Sequence, residues 1–182
     1  MSSRSRCSIG QRPGAERSPV AIEIERKFLL RDPSWRDAVE CSTLLRQGYL
    51  ANNERCSVRV RLAGASAWLS VKAMTPGLAR AEYEYPVPLE DAAALLDALC
   101  ERPFVEKWRH LVSWYGHTWE IDEFLGDNQG LVVAEVELGS IDEQPVLPPW
   151  VGREVTDDVR FYNFSLARNP WSGFRTQFPE AT

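Results

Sequence analysis

Apolar residues recur at every second position over most of the chain, which is the spacing of strands. In Val20–Leu29, Ile22 and Ile24 alternate with Glu23, Glu25 and Lys27. Similar runs occupy Leu44–Ala51, Ser57–Ala63, Ala67–Ala73, Arg80–Val87, Val105–Trp114, His117–Phe124 and Leu131–Leu138. Gly64-Ala65-Ser66, Thr75-Pro76-Gly77 and Tyr115-Gly116 separate neighbours as turns, the first and last predicting hairpins. Helical spacing is confined to three places. Asp32–Glu40 predicts a short helix with Asp32 as N-cap and Pro33 at its first position. Glu90–Arg102 sets Leu95, Leu96 and Leu99 on one face, for contact with the sheet, and ends at Pro103. Val155–Arg168, capped by Thr156 or Asp157, follows a loop rich in proline.

About eight strands with two or three helices, joined by short turns, predict an antiparallel sheet that curls or closes with helices outside. The class is α+β, mainly β. Residues 1–19 carry Ser, Arg, Gly and Pro without periodicity and read as a disordered N-terminal extension, with a transit peptide as the alternative. The folded domain is expected over 20–169, and 170–182 reads as a C-terminal tail. No internal repeat or second domain is visible.

Composition narrows the classes. The 182 residues carry 21 Lys+Arg against 26 Asp+Glu, a net charge of −5, so a generic basic nucleic-acid footprint is absent. At 44% hydrophobic the chain can bury a core. The cysteines Cys7, Cys41, Cys56 and Cys100 are widely spaced, and only His110 and His117 accompany them, so no zinc ligand set is written in the spacing. All four read as free thiols. No apolar run approaches the ~20 residues of a membrane helix. These features together predict a protein of the reducing cytoplasm.

The informative pattern is the polar one. Side chains at i and i+2 of a strand share a face. That rule groups Glu23, Glu25 and Lys27; Arg59 and Arg61; Ser70 and Lys72; Arg80, Glu82 and Glu84; Lys107 and Arg109; Glu120 and Asp122; Glu135 and Glu137. The opposite faces are apolar. A sheet with one wet, salt-bridged face accounts for any single strand. Repeated same-sign doublets, about 7 Å apart, are harder to explain that way, because like charges repel without counter-ions. Carboxylate doublets can surround a divalent cation, and Arg/Lys doublets can hold polyphosphate oxygens. Trp35, Trp68, Trp108 and Trp119 read as packing residues, and His110 as an exterior one.

The ordered set resembles the CYTH superfamily, the triphosphate tunnel metalloenzymes. Glu23-Ile24-Glu25-Arg26-Lys27 is similar to the family's Glu-x-Glu-x-Lys signature. Gln47-Gly48-Tyr49-Leu50, Val58–Arg61, Leu69–Lys72, Arg80–Glu84, Glu106–Arg109, Trp119–Phe124 and Gly130–Glu137 follow in the family's order. The tail Val155-Thr156-Asp157-Asp158, Phe161-Tyr162-Asn163 and Leu166-Ala167 looks like bacterial members, so the resemblance spans about residues 20–169. The N-terminal extension, Phe161 where Tyr is common, and the segment after Trp171 depart from the pattern.

The resemblance implies an eight-stranded antiparallel closed β-barrel with the charged faces turned inward and a few helices outside. It implies metal-dependent hydrolysis of a triphosphate, most directly inorganic tripolyphosphate to diphosphate and phosphate. Glu23, Glu25, Glu135 and Glu137 are then the leading metal ligands, with Glu82, Glu84 and Asp122 behind them, for Mg²⁺ or Mn²⁺. Lys27, Arg59, Arg61, Lys72, Lys107 and Arg109 would hold the phosphates, and Lys27, Tyr49 and Lys107 would act in catalysis. A class IV adenylate cyclase, a thiamine, nucleoside or RNA 5′-triphosphatase, and a non-catalytic polyphosphate-binding module remain open. So do Val155–Arg168 as a lid over one tunnel mouth, and a homodimer against a monomer. The partner expected is a small polyphosphate, with no nucleic acid and no membrane.

Overall fold

The computed structural model describes residues 21–74 and 79–179. The extension read at 1–19 and the turn read at Thr75-Pro76-Gly77 lie outside the described residues. The strands are β1 (Ala21–Leu30), β2 (Cys41–Asn52), β3 (Cys56–Ala63), β4 (Ser66–Ala73), β5 (Ala79–Pro86), β6 (Glu101–Trp114), β7 (His117–Phe124), β8 (Val132–Glu137) and β9 (Val151–Glu154). Two α-helices accompany them, α1 (Leu89–Leu99) and α2 (Asn163–Arg168).

The sheet order is β5-β4-β3-β2-β6-β7-β8-β1, and β1 pairs back onto β5, so eight antiparallel strands close a barrel. β1 makes the seam. Its first half pairs with β5, Ala21 opposite Glu82 and Ile24 opposite Ala79. Glu25–Leu29 pair with β8, and Phe28 and Leu30 with the short β9. The β6–β7 hairpin turns through Tyr115 (φ 44°) and Gly116 (φ 85°), the two left-handed residues of a type I′ turn whose twist suits antiparallel strands.

Alternation then sorts the wall. Outward-facing Val60 and Ala67, with Leu62 and Leu69, are covered by α1 through Ala92 and Leu96. Outward-facing Phe28, Val112, Trp119, Ile121, Ala134 and Val136 are covered by Trp35, Leu138, Trp150 and Val151. Trp35 arrives on a 3₁₀ turn, Pro33–Ala38, whose N-cap Asp32 accepts from the Ser34 amide, as the sequence predicts. Each large apolar side chain fully buried here contributes about 1.5–3 kcal/mol.

Several expectations change. α1 ends at Leu99 because Cys100 is already extended (φ −76°, ψ 140°), so Leu99 is 64% exposed and the sheet contact is made by Ala92 and Leu96, with Leu95 beside them, as expected for Leu95 and Leu96 but not for Leu99. Pro103 does not stop a helix. It sits in β6 opposite a register shift between Gln47 and Tyr49, a bulge where a strand tolerates proline. Gly48 lies at that shift, and a Cβ there would stand 2.8 Å from Cys100 Cβ and 3.0 Å from Leu96 Cδ2. Thus the close seating of α1 requires glycine. The helix read at Val155–Arg168 is instead a 3₁₀ turn, Val159–Phe161, capped by Asp158, followed by the shorter α2. Trp108 is 39% exposed, whereas Trp35, Trp68 and Trp119 are buried. Cys56 and Cys100 are free thiols, but Cys41 is disulfide-bonded, which the wide spacing did not foretell. Among the described residues no helix is long and apolar enough to cross a membrane.

Leu96→Ala should cost about 2–5 kcal/mol of stability by opening a cavity under α1, while Leu99→Ala should cost less than about 0.5 kcal/mol. Urea unfolding of the two variants checks this. Equal losses would mean that α1 seats on the other face.

Candidate active site: an ion-paired tunnel closed at one end

Register places every charged residue singled out above on the inner face of the barrel. Lys27 pairs with Glu135 across β1–β8, and Glu25 with Glu137. Arg109 pairs with Asp122 across β6–β7, and Glu120 with Glu135 across β7–β8. Tyr49 pairs with Arg59 and Gln47 with Arg61 across β2–β3; Ser70 pairs with Glu84 and Lys72 with Glu82 across β4–β5. The period-two doublets of the sequence are therefore neighbours on the rungs of one lumen.

A charge inside a barrel is tolerable only when it is paired. Two groups of pairs result. In the first, Glu135 accepts from Lys27 and, at 2.9 Å, from Arg109 Nη2. Arg109 also grips Asp122 with two parallel bonds of 2.7 and 2.6 Å and bonds Glu120. Lys107 bonds Asp122 and donates to Asn163 Oδ1 at 3.1 Å. In the second group, Arg61 bonds Glu84 at 2.7 Å, Arg59 reaches Ser70 at 3.2 Å and pairs with Glu82, and Lys72 bonds Glu23. Lys27 stands 3.1 Å from Glu25.

Burial tunes these groups in opposite directions. For Lys27 it opposes the charge, but Glu135 and Glu25 overcome it and hold the ammonium above its ordinary value. For Lys107 burial wins: it draws the ammonium down to about 8 against Asp122, with Arg109 adding to the fall. Burial would raise the Glu135 carboxyl, yet Lys27, Lys107 and Arg109 hold it well below its ordinary range. Burial raises the Tyr49 phenol despite Arg59, Lys72 and Lys27, so Tyr49 is a proton-bearing donor at neutral pH. That outcome runs against the lowering by nearby cations that a tyrosine base requires.

The barrel's inner face is not polar throughout. Beyond the charges, Leu29, Val105, Phe124 and Val133 point inward at one end, where Val155, Phe161, Leu166, Trp171, Phe174 and Phe178 pack on them. The C-terminal segment, residues 171–178 included, thus fills that end, and Phe161 is 1% exposed within it. The polar edge of the filling, Tyr162 and Asn163 with Phe164, lines a cavity of about 60 Å³ shared with Glu25, Lys27, Tyr49, Arg59, Lys72, Arg80 and Glu82. Arg80 Nη2 donates to the Tyr162 hydroxyl at 2.5 Å. Sequence reasoning gave no role to Ser57, Ser70, Glu120, Arg80, Tyr162 or Asn163. Period two marks the first four, whereas the last two, quoted above only for the family resemblance, reach the lumen through tertiary packing.

Among the described residues no group of three or more His, Cys, Asp or Glu side chains is arranged to hold a metal ion. The carboxylates instead turn toward lysines and arginines. Their chemistry nonetheless suits a hard cation: all donors are oxygens, and Glu25 and Glu137 oppose each other directly on β1 and β8.

The CYTH domain model matches residues 21–165. The chain belongs to the CYTH domain family. An inorganic triphosphatase of Acetivibrio thermocellus is 44% identical over 155 residues, 84% of this chain and 97% of that protein. One of Nitrosomonas europaea is 36% identical, over 80% of this chain and 96% of that protein. The crystal structure of an inorganic triphosphatase superposes with a TM-score of 0.56 at 33% identity, covering 80% of this chain and 93% of that one. A Pyrococcus furiosus protein shares the fold at 16% identity and a TM-score of 0.53, over 66% of this chain and 80% of that one. The matched segment of this CYTH chain contains the complete charged lumen.

Glu135→Gln should destabilise the protein by about 3–5 kcal/mol, because it strips the shared counter-ion from buried Lys27 and Arg109. Glu154→Gln, which removes the charge shared with Arg26 and Thr156 at the surface, should cost about 1 kcal/mol or less. Urea unfolding compares them, and similar losses would contradict the buried network.

Proposed function

We propose that this chain hydrolyses inorganic tripolyphosphate to diphosphate and phosphate, with a divalent cation as cofactor. The observation that carries the reading is the lumen itself: six cations, Lys27, Arg59, Arg61, Lys72, Lys107 and Arg109, face one closed interior and rest on carboxylates. A tripolyphosphate can replace those carboxylates as the partner of each cation. Its phosphate oxygens match the forked donors of arginine and the point charges of lysine. The two relatives named inorganic triphosphatases support the choice of substrate within the family.

Displacement also frees the carboxylates. Glu23, Glu25, Glu135 and Glu137 would hold Mg²⁺ or Mn²⁺, and Glu82, Glu84 and Asp122 are the reserve. When bound, such an ion supplies positive charge to the phosphate oxygens and lowers the pKa of a coordinated water. The chain's own cations do the rest. Lys27 and Arg109, released from Glu135, and Arg59 and Arg61, side by side on β3, fix the phosphates and stabilise the charge that builds on the departing diphosphate. Lys107, the most sheltered of the six at 1% exposure, stays aimed by Asp122 and Asn163. Tyr49 donates its hydroxyl hydrogen to a phosphate oxygen. The apolar filling at one end keeps water out and leaves substrate to enter from the other.

Phosphate release from tripolyphosphate, ATP and thiamine triphosphate, with Mg²⁺, Mn²⁺ or EDTA, tests the reading. Rapid release from tripolyphosphate that EDTA abolishes is expected. Lys72→Ala should lower kcat/KM by about 10²-fold or more through loss of one phosphate contact. Cyclic AMP from ATP as the main product, or turnover indifferent to EDTA, would overturn it.

A further inference from the structure

Gln47 is an uncharged polar side chain on the inner face of the barrel, almost fully buried at 1% exposure, and no role above uses it. It projects from β2 between Val105 on β6 and Arg61 on β3. Its amide nitrogen donates to the Tyr49 hydroxyl at 3.3 Å, which leaves the tyrosine's own hydrogen free for another acceptor. Its amide oxygen is buried and, among the described residues, meets no hydrogen-bond donor. Across the same rungs, Arg59 Nε and Arg61 Nε are buried donors that meet no acceptor among the described residues.

A buried amide oxygen without a partner costs about 1–3 kcal/mol, so the site favours a ligand that fills it. The three open atoms state what that ligand must offer. The two Nε–H groups call for anionic oxygens, which a polyphosphate supplies. The Gln47 oxygen calls for an O–H, which a fully ionised polyphosphate lacks and a water molecule beside it supplies. We propose that Gln47 orients the water that attacks the terminal phosphorus, accepting one of its hydrogens while Arg59 and Arg61 hold the phosphate next to it. The water oxygen then bonds phosphorus, the bridging P–O bond breaks, and its electron pair leaves with diphosphate. One water hydrogen stays on the new phosphate and the other is taken up by the departing diphosphate, so tripolyphosphate plus water gives hydrogen phosphate plus hydrogen diphosphate. Gln47 itself gains and loses no proton; it fixes the direction of the water's lone pair.

This inference rests on the triphosphatase reading, and steady-state kinetics with tripolyphosphate separate the two. Wild-type protein is compared with Gln47→Leu and Gln47→Met, which cannot accept a hydrogen bond, and Gln47→Glu, which can. Both apolar variants should lose about 100-fold in kcat with KM changed less than about threefold, the signature of a misdirected nucleophile. Their melting temperature should change little, since each removes an unmet acceptor along with the long 3.3 Å bond to Tyr49. Gln47→Glu should recover kcat to within about tenfold of wild type while raising KM, because its added charge repels phosphate. Apolar variants with wild-type kcat, or with KM raised at unchanged kcat, would overturn the water-orienting role and leave the triphosphatase reading intact. Absence of phosphate release by wild-type protein would overturn both.

Discussion

Glu135 is the point on which the interior depends. From β8 it accepts from Lys27 on β1 and Arg109 on β6, and Arg109 passes the link to Asp122 and Glu120 on β7. Four neighbouring strands, β6-β7-β8-β1, are thus joined on their inner face through one carboxylate. Without that pairing the cations would face one another in a space too dry to screen them. Conversely, a carboxylate held only by pairing can be released when a better anion arrives. On the proposed function, the stability of the lumen and its affinity for a polyphosphate are two uses of the same charges.

The apolar half of each strand makes this arrangement affordable in structural terms. α1 and the Trp35–Trp150 cover bury the outer wall, and the aromatic cluster of Phe161, Trp171, Phe174 and Phe178 closes one end of the inner space. The charged rungs are therefore bounded by packing on their outer side and at one end. That boundary keeps the local dielectric low, which is why burial dominates at Lys107 and why Tyr49 retains its proton.

Much of this is legible in the sequence because the relevant rule is short-range. Period-two spacing assigns Arg59 and Arg61, or Glu135 and Glu137, to one face before any pairing is known, and the family's order of motifs says that this face is the inside. What is not legible depends on contacts between distant segments. Pro103 reads as a helix stop until the bulge opposite Gln47–Tyr49 gives it a place in β6. Leu99 fits the helical stripe but overhangs the barrel edge, because α1 is seated by Gly48 and Leu96. Trp171, Phe174 and Phe178 follow the family resemblance and show no strand or helix period, so their burial at the barrel end has no local signature. Asn163 becomes a site residue only when that same packing brings it to Lys107. The disulfide at Cys41 likewise lies beyond what spacing reveals.

The central claim is that the lumen's internal ion pairs form a receptor for one triphosphate. Calorimetric titration of tripolyphosphate into wild-type protein and Arg59→Met, without added metal, tests it most directly. The account predicts one site per chain in wild-type protein and a loss of at least about tenfold in affinity in the variant, roughly one charge-assisted hydrogen bond. Unchanged affinity in Arg59→Met, or several weak sites per chain, would place the phosphate on the outer surface and contradict it.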